Sequence, residues 1–291
     1  MKIKNLSCAA CKNIMVDKGK IPEGKLFVCK NCNSKRIYIE DINRLQDVDS
    51  YGNAYREKFD QVKVLSQMKL FYDNLSGKEK EKDILDIGCG NGEFIKALIQ
   101  NGYSASGLEC DSIAIKNLLS EGVEVYFGEL GQKFEMNKDF TFVTLWDLIE
   151  HINNVENAMI QLRSLVKKSG KLFILTPDSD SVFDLLAMVE RKLTLNKSQR
   201  LMSICLNRYH LHRFSTKGLR VLLERFGFVV DQFQRVQVFS LKKDVYMNGF
   251  APGIKRWTNN TAINLFLSSA AMSLIKTFNI TNKIFLTAIK T

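Results

Sequence analysis

The sequence predicts an α/β chain, a largely parallel seven-stranded sheet with a small cysteine-rich module ahead of it. Three observations predict it. Residues 83–92 read DILDIGCGNG, an apolar run interrupted by Asp86, then Gly88, Gly90 and Gly92, then the helical pattern EFIKALIQNG. Such a run suits a strand buried on both faces of a parallel sheet, and the glycine turn lets a ligand approach the backbone at the sheet's C-terminal edge. Four more strand-like runs follow at 103–108, 123–127, 140–146 and 171–175, separated by helical patterns. Short links between alternating strands and helices force right-handed crossovers. Ahead of them stand two C-x-x-C pairs, Cys8/Cys11 and Cys29/Cys32, with seventeen residues between.

The glycine turn does not have dinucleotide spacing. That site wants G-x-G-x-x-G, whereas here Gly88-x-Gly90-x-Gly92 follows Asp86 by two residues. A carboxylate there repels a pyrophosphate and attracts an ammonium, so the implied cofactor is cationic and carries an amino acid. The second run leads into Glu109. An acid about 20 residues past the glycines accepts hydrogen bonds from ribose hydroxyls. D-x-G-x-G at the end of a first strand resembles motif I of the class I S-adenosylmethionine methyltransferases, which share a Rossmann-like seven-stranded sheet. The resemblance places Glu129 and Leu130 near the adenine and counts Trp146 among the cofactor-side residues. Cys89 and Cys110 fall beside the cofactor loops, where small apolar fillers would also serve. LVKKSGK looks like the family's turn that ends the helix before the fifth strand.

At 291 residues, 45% of them hydrophobic, the chain has room for one large domain and a small one. No membrane span is expected, because no run of about 18 apolar residues occurs. No export signal is expected either, because residues 1–20 hold lysines and two cysteines and no apolar run. Seven cysteines, four of them in C-x-x-C pairs, then point to metal in a reducing cytoplasm rather than to disulfides. The net charge of +11 is uneven: residues 191–223 carry eight Lys/Arg and no acid. That pattern suits an anionic partner.

Residues 1–40 are expected to form a zinc ribbon. Four thiolates suit tetrahedral structural Zn2+, and so short a segment needs the metal's binding energy to fold. Residues 41–82 read as a helical connector with Tyr51, Tyr55, Phe59, Val62 and Leu65 on one face. In related methyltransferases such a helix covers the cofactor. The remainder, 83–291, is the methyltransferase domain.

After the fourth strand comes Asp147-x-x-Glu150-His151, a spacing that puts all three on one side of a helical turn. The resemblance sets this segment against the methyl group and the acceptor. The ubiquinone-pathway O-methyltransferases and the small-RNA 2′-O-methyltransferases carry E-x-x-E-H here with a divalent metal. Mg2+ at Asp147, Glu150 and His151, with a downstream histidine, His210 or His212, available to complete the site, is therefore one expectation; a capping acid with a histidine at the pocket wall is the other. Residues 178–215 form the insertion that carries acceptor specificity in this fold: helix VFDLLAMVERKL, a basic loop, then RYHLHRFST. Alternation puts His210 and His212 on one face of an extended segment. With His151 and Glu150 they are the candidate catalytic residues, since histidine takes a hydroxyl proton near neutral pH. A helix at 216–227, a strand at 229–240 and an antiparallel last strand at 283–289 complete the sheet. Residues 250–280 read as an amphipathic helix with Ile263, Phe266, Leu267, Ala270, Leu274 and Phe278 on one face. It packs on the sheet or in a dimer contact, or lies on a membrane surface.

Together these features resemble the zinc-ribbon-bearing bacterial methyltransferases of surface-polysaccharide and sugar pathways. The resemblance implies methyl transfer from S-adenosylmethionine to a hydroxyl of a sugar or glycan, nucleotide- or lipid-linked. The basic insertion would hold the acceptor's phosphates, in the cytoplasm or at the inner face of the membrane. An RNA 2′-O-methyltransferase is the alternative that phosphate contacts by the basic segments favour. A non-catalytic zinc-ribbon adaptor with a vestigial cofactor fold is the third reading, opposed by intact Asp86, Gly88, Gly90 and Glu109.

Overall fold

The computed structural model describes residues 6–21, 24–39, 61–75, 82–193, 210–237 and 281–291. Tyr51, Tyr55, Phe59, the basic loop after residue 193 and the amphipathic stretch 250–280 lie outside the described residues.

The first sheet is built near the N-terminus from β1 (Leu6–Ser7), β2 (Ile14–Ile21), β3 (Gly24–Cys29) and β4 (Lys35–Tyr38). The second carries β5 (Asp83–Ile87), β6 (Ser104–Glu109), β7 (Val125–Phe127), β8 (Phe140–Trp146), β9 (Val166–Pro177), β11 (Phe228–Val236) and β12 (Lys283–Lys290). Its order is β11-β12-β9-β8-β5-β6-β7. β12 runs antiparallel to both its neighbours, and the other strands run parallel to one another. This is the expected six-plus-one sheet. The chain leaves β5 toward β6 and β7, then returns to β8 on the other side. Ligands of open α/β sheets sit at such a reversal, beyond the strands' C-terminal ends.

The helices are α1 (Gln61–Tyr72), α2 (Glu93–Gln100), α3 (Ser112–Ser120), α4 (Val155–Leu165), α5 (Val182–Leu193) and α6 (Thr216–Arg225). Asp111, Asn154 and Ser215 cap α3, α4 and α6 by accepting a backbone N–H. In α1 the expected face is shifted. Leu65 is exposed, while Met68 and Phe71 pack into an aromatic cluster with Phe94, Phe142, Phe173 and Phe285. Phe71 alone meets the rings of Phe94, Tyr103, Phe142 and Phe173.

The segment LVKKSGK also differs from expectation. α4 ends at Leu165, and Val166 already pairs with Phe140 as the start of β9. An irregularity between Phe140 and Phe142 and the positive φ of Ser169 (60°) absorb the extra length. Lys167 pins the stretch by pairing with Asp83 at 2.8 Å.

The two sheets are not separate bodies. β10 (His212–Arg213), from the insertion, is the edge strand of the N-terminal sheet, antiparallel to β4. Cys8, Ala10, Phe27 and Cys32 belong to the same apolar core as Leu145, Leu162, Phe214, Leu219 and Leu286.

Candidate active site and four-cysteine centre

The end of β5 carries the first acid. Asp86 is buried and accepts a hydrogen bond from Thr144 Oγ1 of β8 at 2.7 Å. Burial pushes its carboxyl up to about 7, against the pull of Thr144 and Lys63. Gly88 follows at φ 69°, with Leu148 so close that a Cβ would clash with it. The Gly88 and Cys89 N–H groups both donate to Leu108 O, seating the turn on β6.

The end of β6 carries the second acid. Glu109 accepts from the Gly90 N–H at 2.8 Å, and from those of Cys110 (2.7 Å) and Asp111 (3.0 Å). It therefore staples the glycine turn to the second strand. A carboxylate has about four acceptor positions, so one remains for an incoming hydroxyl. Beyond it lies a cavity of about 340 Å³ lined by Cys110, Phe127, Gly128, Glu129 and Phe134. Phe127 is 72% exposed and offers the cavity an aromatic face; a strand-end phenylalanine gave no sequence signal for this role.

Three residues expected on the cofactor side have side chains packed among apolar neighbours. Cys89 packs with Ile95, Leu118 and Val123, and its sulfur fills the space beside Gly107. Leu130 is part of the main core. Trp146 is buried between Phe285, on which it stacks, and Phe94, which meets it edge on. The reason is the pleat: alternate residues of a central strand face opposite layers, and Trp146 faces the aromatic one.

The acceptor-side segment differs from the expected set in one member. Asp147, at φ 55°, is held by Lys283 Nζ at 2.6 Å from each carboxylate oxygen, with Lys63 at 3.7 Å. Burial raises its pKa, but the two lysines outweigh burial and leave it below the usual range. His210 takes its place beside Glu150 and His151. The ligand atoms of these three lie within 4.8 Å of one another. The His151 and His210 rings meet edge to face, centroids 4.7 Å apart. Glu150 Oε2 accepts from Thr176 Oγ1 at 2.9 Å; Glu150 Oε1 and His210 Nδ1 have no partner among the described residues. Burial, then Asp147, pushes the Glu150 carboxyl up. Burial, then His151, pushes His210 down to about 3. Two nitrogens and one carboxylate oxygen suit a divalent transition ion better than Mg2+, and the unpartnered Glu150 Oε1 and His210 Nδ1 fit such a donor set.

His212 does not join His210. Its ring is buried and stacks on Phe214, and burial followed by Arg36 pushes it down to about 3. The reason is β10, whose pairing with β4 turns His212 toward Arg36 and the cysteine module. Lys283 and Thr144, like Phe127, are residues that sequence reasoning missed; Lys283 and Thr144 stand in no motif and reach the site by strand register.

The cysteine module meets expectation. Cys8, Cys11, Cys29 and Cys32 bring their sulfurs within 4.8 Å of one another, with Cys8–Cys32 at 3.7 Å and Cys11–Cys29 at 3.4 Å. A tetrahedral ion with Zn–S bonds of about 2.3 Å places its sulfurs about 3.8 Å apart. The cluster fits structural zinc with no position left for a substrate.

A model of the methyltransferase domain matches residues 57–232. The ubiquinone biosynthesis O-methyltransferase of Pseudomonas entomophila is 26% identical over 126 residues, 41% of this chain and 54% of that protein. That of Pseudomonas aeruginosa is 30% identical over 102 residues, 33% of this chain and 44% of that one. The chain thus spans about half the length of the curated relatives it matches. In fold it is similar to a chain of the complex between the Haloferax volcanii Trm112 methyltransferase activator and a methyltransferase (TM-score 0.56, 11% identity, 84% of this chain and 96% of that one). It is also similar to a SAM-dependent methyltransferase from Archaeoglobus fulgidus (TM-score 0.50, 16% identity, 84% and 100%). Among the described residues no helix is long and apolar enough to cross a membrane. With its domain model matched over more than half of its length, the chain belongs to the methyltransferase-domain family.

Proposed function

We propose that this chain transfers a methyl group from S-adenosylmethionine to a hydroxyl oxygen of an anionic small-molecule or sugar acceptor. The observation that carries this reading is the gathering of Glu150, His151 and His210 beyond β8, beside the acids that end β5 and β6. S-adenosylmethionine supplies a methyl group that is already activated, so the chain's main task is alignment.

In this reading Asp86 receives the ammonium of the amino-acid end. Glu109 uses its remaining acceptor position on a ribose hydroxyl, and Phe127 stacks on the base. A divalent ion at Glu150, His151 and His210 would polarise the acceptor hydroxyl. His210 would be one of that ion's neutral nitrogen donors, its Nδ1 having no partner among the described residues. Lys283 and Lys63 hold Asp147 and so keep its carboxylate out of the donor set. The matched relatives' names, O-methyltransferases, agree with oxygen as the target.

The test is incubation of the chain with methyl-labelled S-adenosylmethionine and separate pools of nucleotide sugars, lipid-linked glycans and RNA. The exposed apolar row Val182, Leu185, Leu186, Val189 and Leu193 on α5 is the reason for the lipid-linked pool. Label in either sugar pool supports the reading. Label in RNA alone replaces it with 2′-hydroxyl methylation, and a chain that binds no cofactor in a calorimetric titration is an adaptor.

A further inference from the structure

We infer that the four-cysteine sheet is the positioning element of the acceptor site: β4 holds the segment that carries His210, so an intact thiol centre sets His210 and Glu150 but not the cofactor turn. The inference rests on the acceptor-side reading of His210 above, and its experiment separates the two.

The segment 210–215 is suspended between the small sheet and the active site. On one side the Ile37 N–H donates to Leu211 O at 2.9 Å, and His212 and Arg213 pair with Arg36 and Lys35. On the other the His212 N–H donates to Glu150 O at 2.9 Å. The residue that extends β4 is thus also tied to the backbone of the candidate carboxylate. One bridge to the end of β9, Asp178 to Phe214, completes its support.

The second cysteine knuckle grips the same segment from below. Ser215 Oγ donates to Cys32 O, and the Ser215 N–H donates to Ser34 Oγ. Lys217 Nζ donates to Asn31 O at 2.7 Å. Gly218 lies against Ser34 Oγ and Cys32 Sγ, where any Cβ would collide. Charge adds to the grip: Asp184 of α5 is buried between Lys35 of β4 and Arg213 of β10. The cofactor turn is set differently, by hydrogen bonds among β5, β6 and β8. A metal held by the four thiols would add its binding energy to the folding of this sheet. Loosening it therefore frees His210 while leaving Asp86, Gly90 and Glu109 in place.

Two variants of the full chain test this. Ile37→Pro removes the one N–H that bonds Leu211 and leaves all four thiols; Ile37→Val keeps the N–H and is the control. Cys11→Ser opens the thiol centre itself. The chain has three histidines, so its imidazole NMR signals can be followed singly, alongside calorimetric titration with S-adenosylhomocysteine. The expected result is that Ile37→Pro and Cys11→Ser shift the His210 and His212 signals, with affinity for S-adenosylhomocysteine within about twofold of the parent. Ile37→Val should match the parent in both. Unmoved histidine signals in both variants overturn the inference. So does a loss of affinity of tenfold or more in step with the shifts, which would make the module a support of the whole fold. Shifted signals in a chain that never binds S-adenosylhomocysteine uphold the positioning and sink the methyl-transfer reading instead.

Discussion

Thr144 donates its hydroxyl proton to Asp86 at 2.7 Å, tying the ends of β8 and β5 across the reversal of the sheet. The bond favours the ionised carboxyl, yet burial dominates and leaves Asp86 at about 7. Binding an ammonium requires the ionised form, so cofactor affinity should rise between pH 6 and pH 8, with a proton released on binding. Asp86→Asn should abolish that dependence and weaken S-adenosylhomocysteine by a hundredfold or more. Thr144→Val should leave Asp86 harder to ionise and weaken binding at pH 7 by about 1–3 kcal/mol. Titration calorimetry in buffers of different ionisation enthalpy reads both effects.

The same acid gives stability a slope. From its ordinary 3.8 to about 7, the folded chain keeps a proton on Asp86 that the unfolded chain has lost. The native state binds more protons there, so this group's contribution to stability falls as pH rises through the window and is flat above it. In urea unfolding, Asp86→Asn should gain on the parent as pH climbs from 4 to 7. A constant difference between the two across that range would show that Asp86 ionises normally.

Glu109 accepts from three backbone N–H groups. Charge-assisted hydrogen bonds are worth about 1.5–3 kcal/mol each. Glu109→Ala should therefore free the Gly90 amide, seen as faster hydrogen exchange at that position, and weaken cofactor binding at least tenfold. Unchanged exchange at Gly90 would mean that the turn is held without Glu109, by the bonds of Gly88 and Cys89 to Leu108 O.

Glu150, His151 and His210 should bind one divalent ion, apart from that of the cysteines. Mn2+ monitored by electron paramagnetic resonance, or Co2+ by its visible bands, reports the site. Glu150→Gln and His210→Ala should each lower affinity by at least tenfold, whereas Asp147→Asn should change it less, because Lys283 already occupies that carboxylate. A larger loss in Asp147→Asn than in His210→Ala would restore the set expected from the spacing of the motif.

Asp184 is 3% exposed and lies between Lys35 and Arg213, themselves almost fully buried. Removing one member of a buried ion cluster leaves the others uncompensated, at a cost of about 3–5 kcal/mol. Asp184→Asn should lower stability by that order in thermal or urea unfolding. Asp73→Asn, which breaks the exposed pair with Lys69, should cost under about 1 kcal/mol.

The local order of this protein was legible in its residues. Apolar runs and glycine turns are short-range signals, so the run around Asp86, the Glu109 position and the six-plus-one sheet followed from them. The two C-x-x-C pairs were equally plain, since four thiols at that spacing match the ligand geometry of a tetrahedral metal. Meetings across strands were not legible. Lys283 reaches Asp147 because β12 lies beside β9 with Lys283 opposite Pro177, a register set by the packing of both faces. Of the two downstream histidines available to complete the donor set, His210 rather than His212 joins it, because β4, far away in sequence, pairs with β10, while Lys283 takes Asp147. Trp146 packs in an aromatic layer because Phe94 and Phe285, distant in sequence, meet it there. Periodicity specifies which face a residue occupies within its own element; only the assembled sheets, with their long-range pairing and buried charges, decide which side chain it meets.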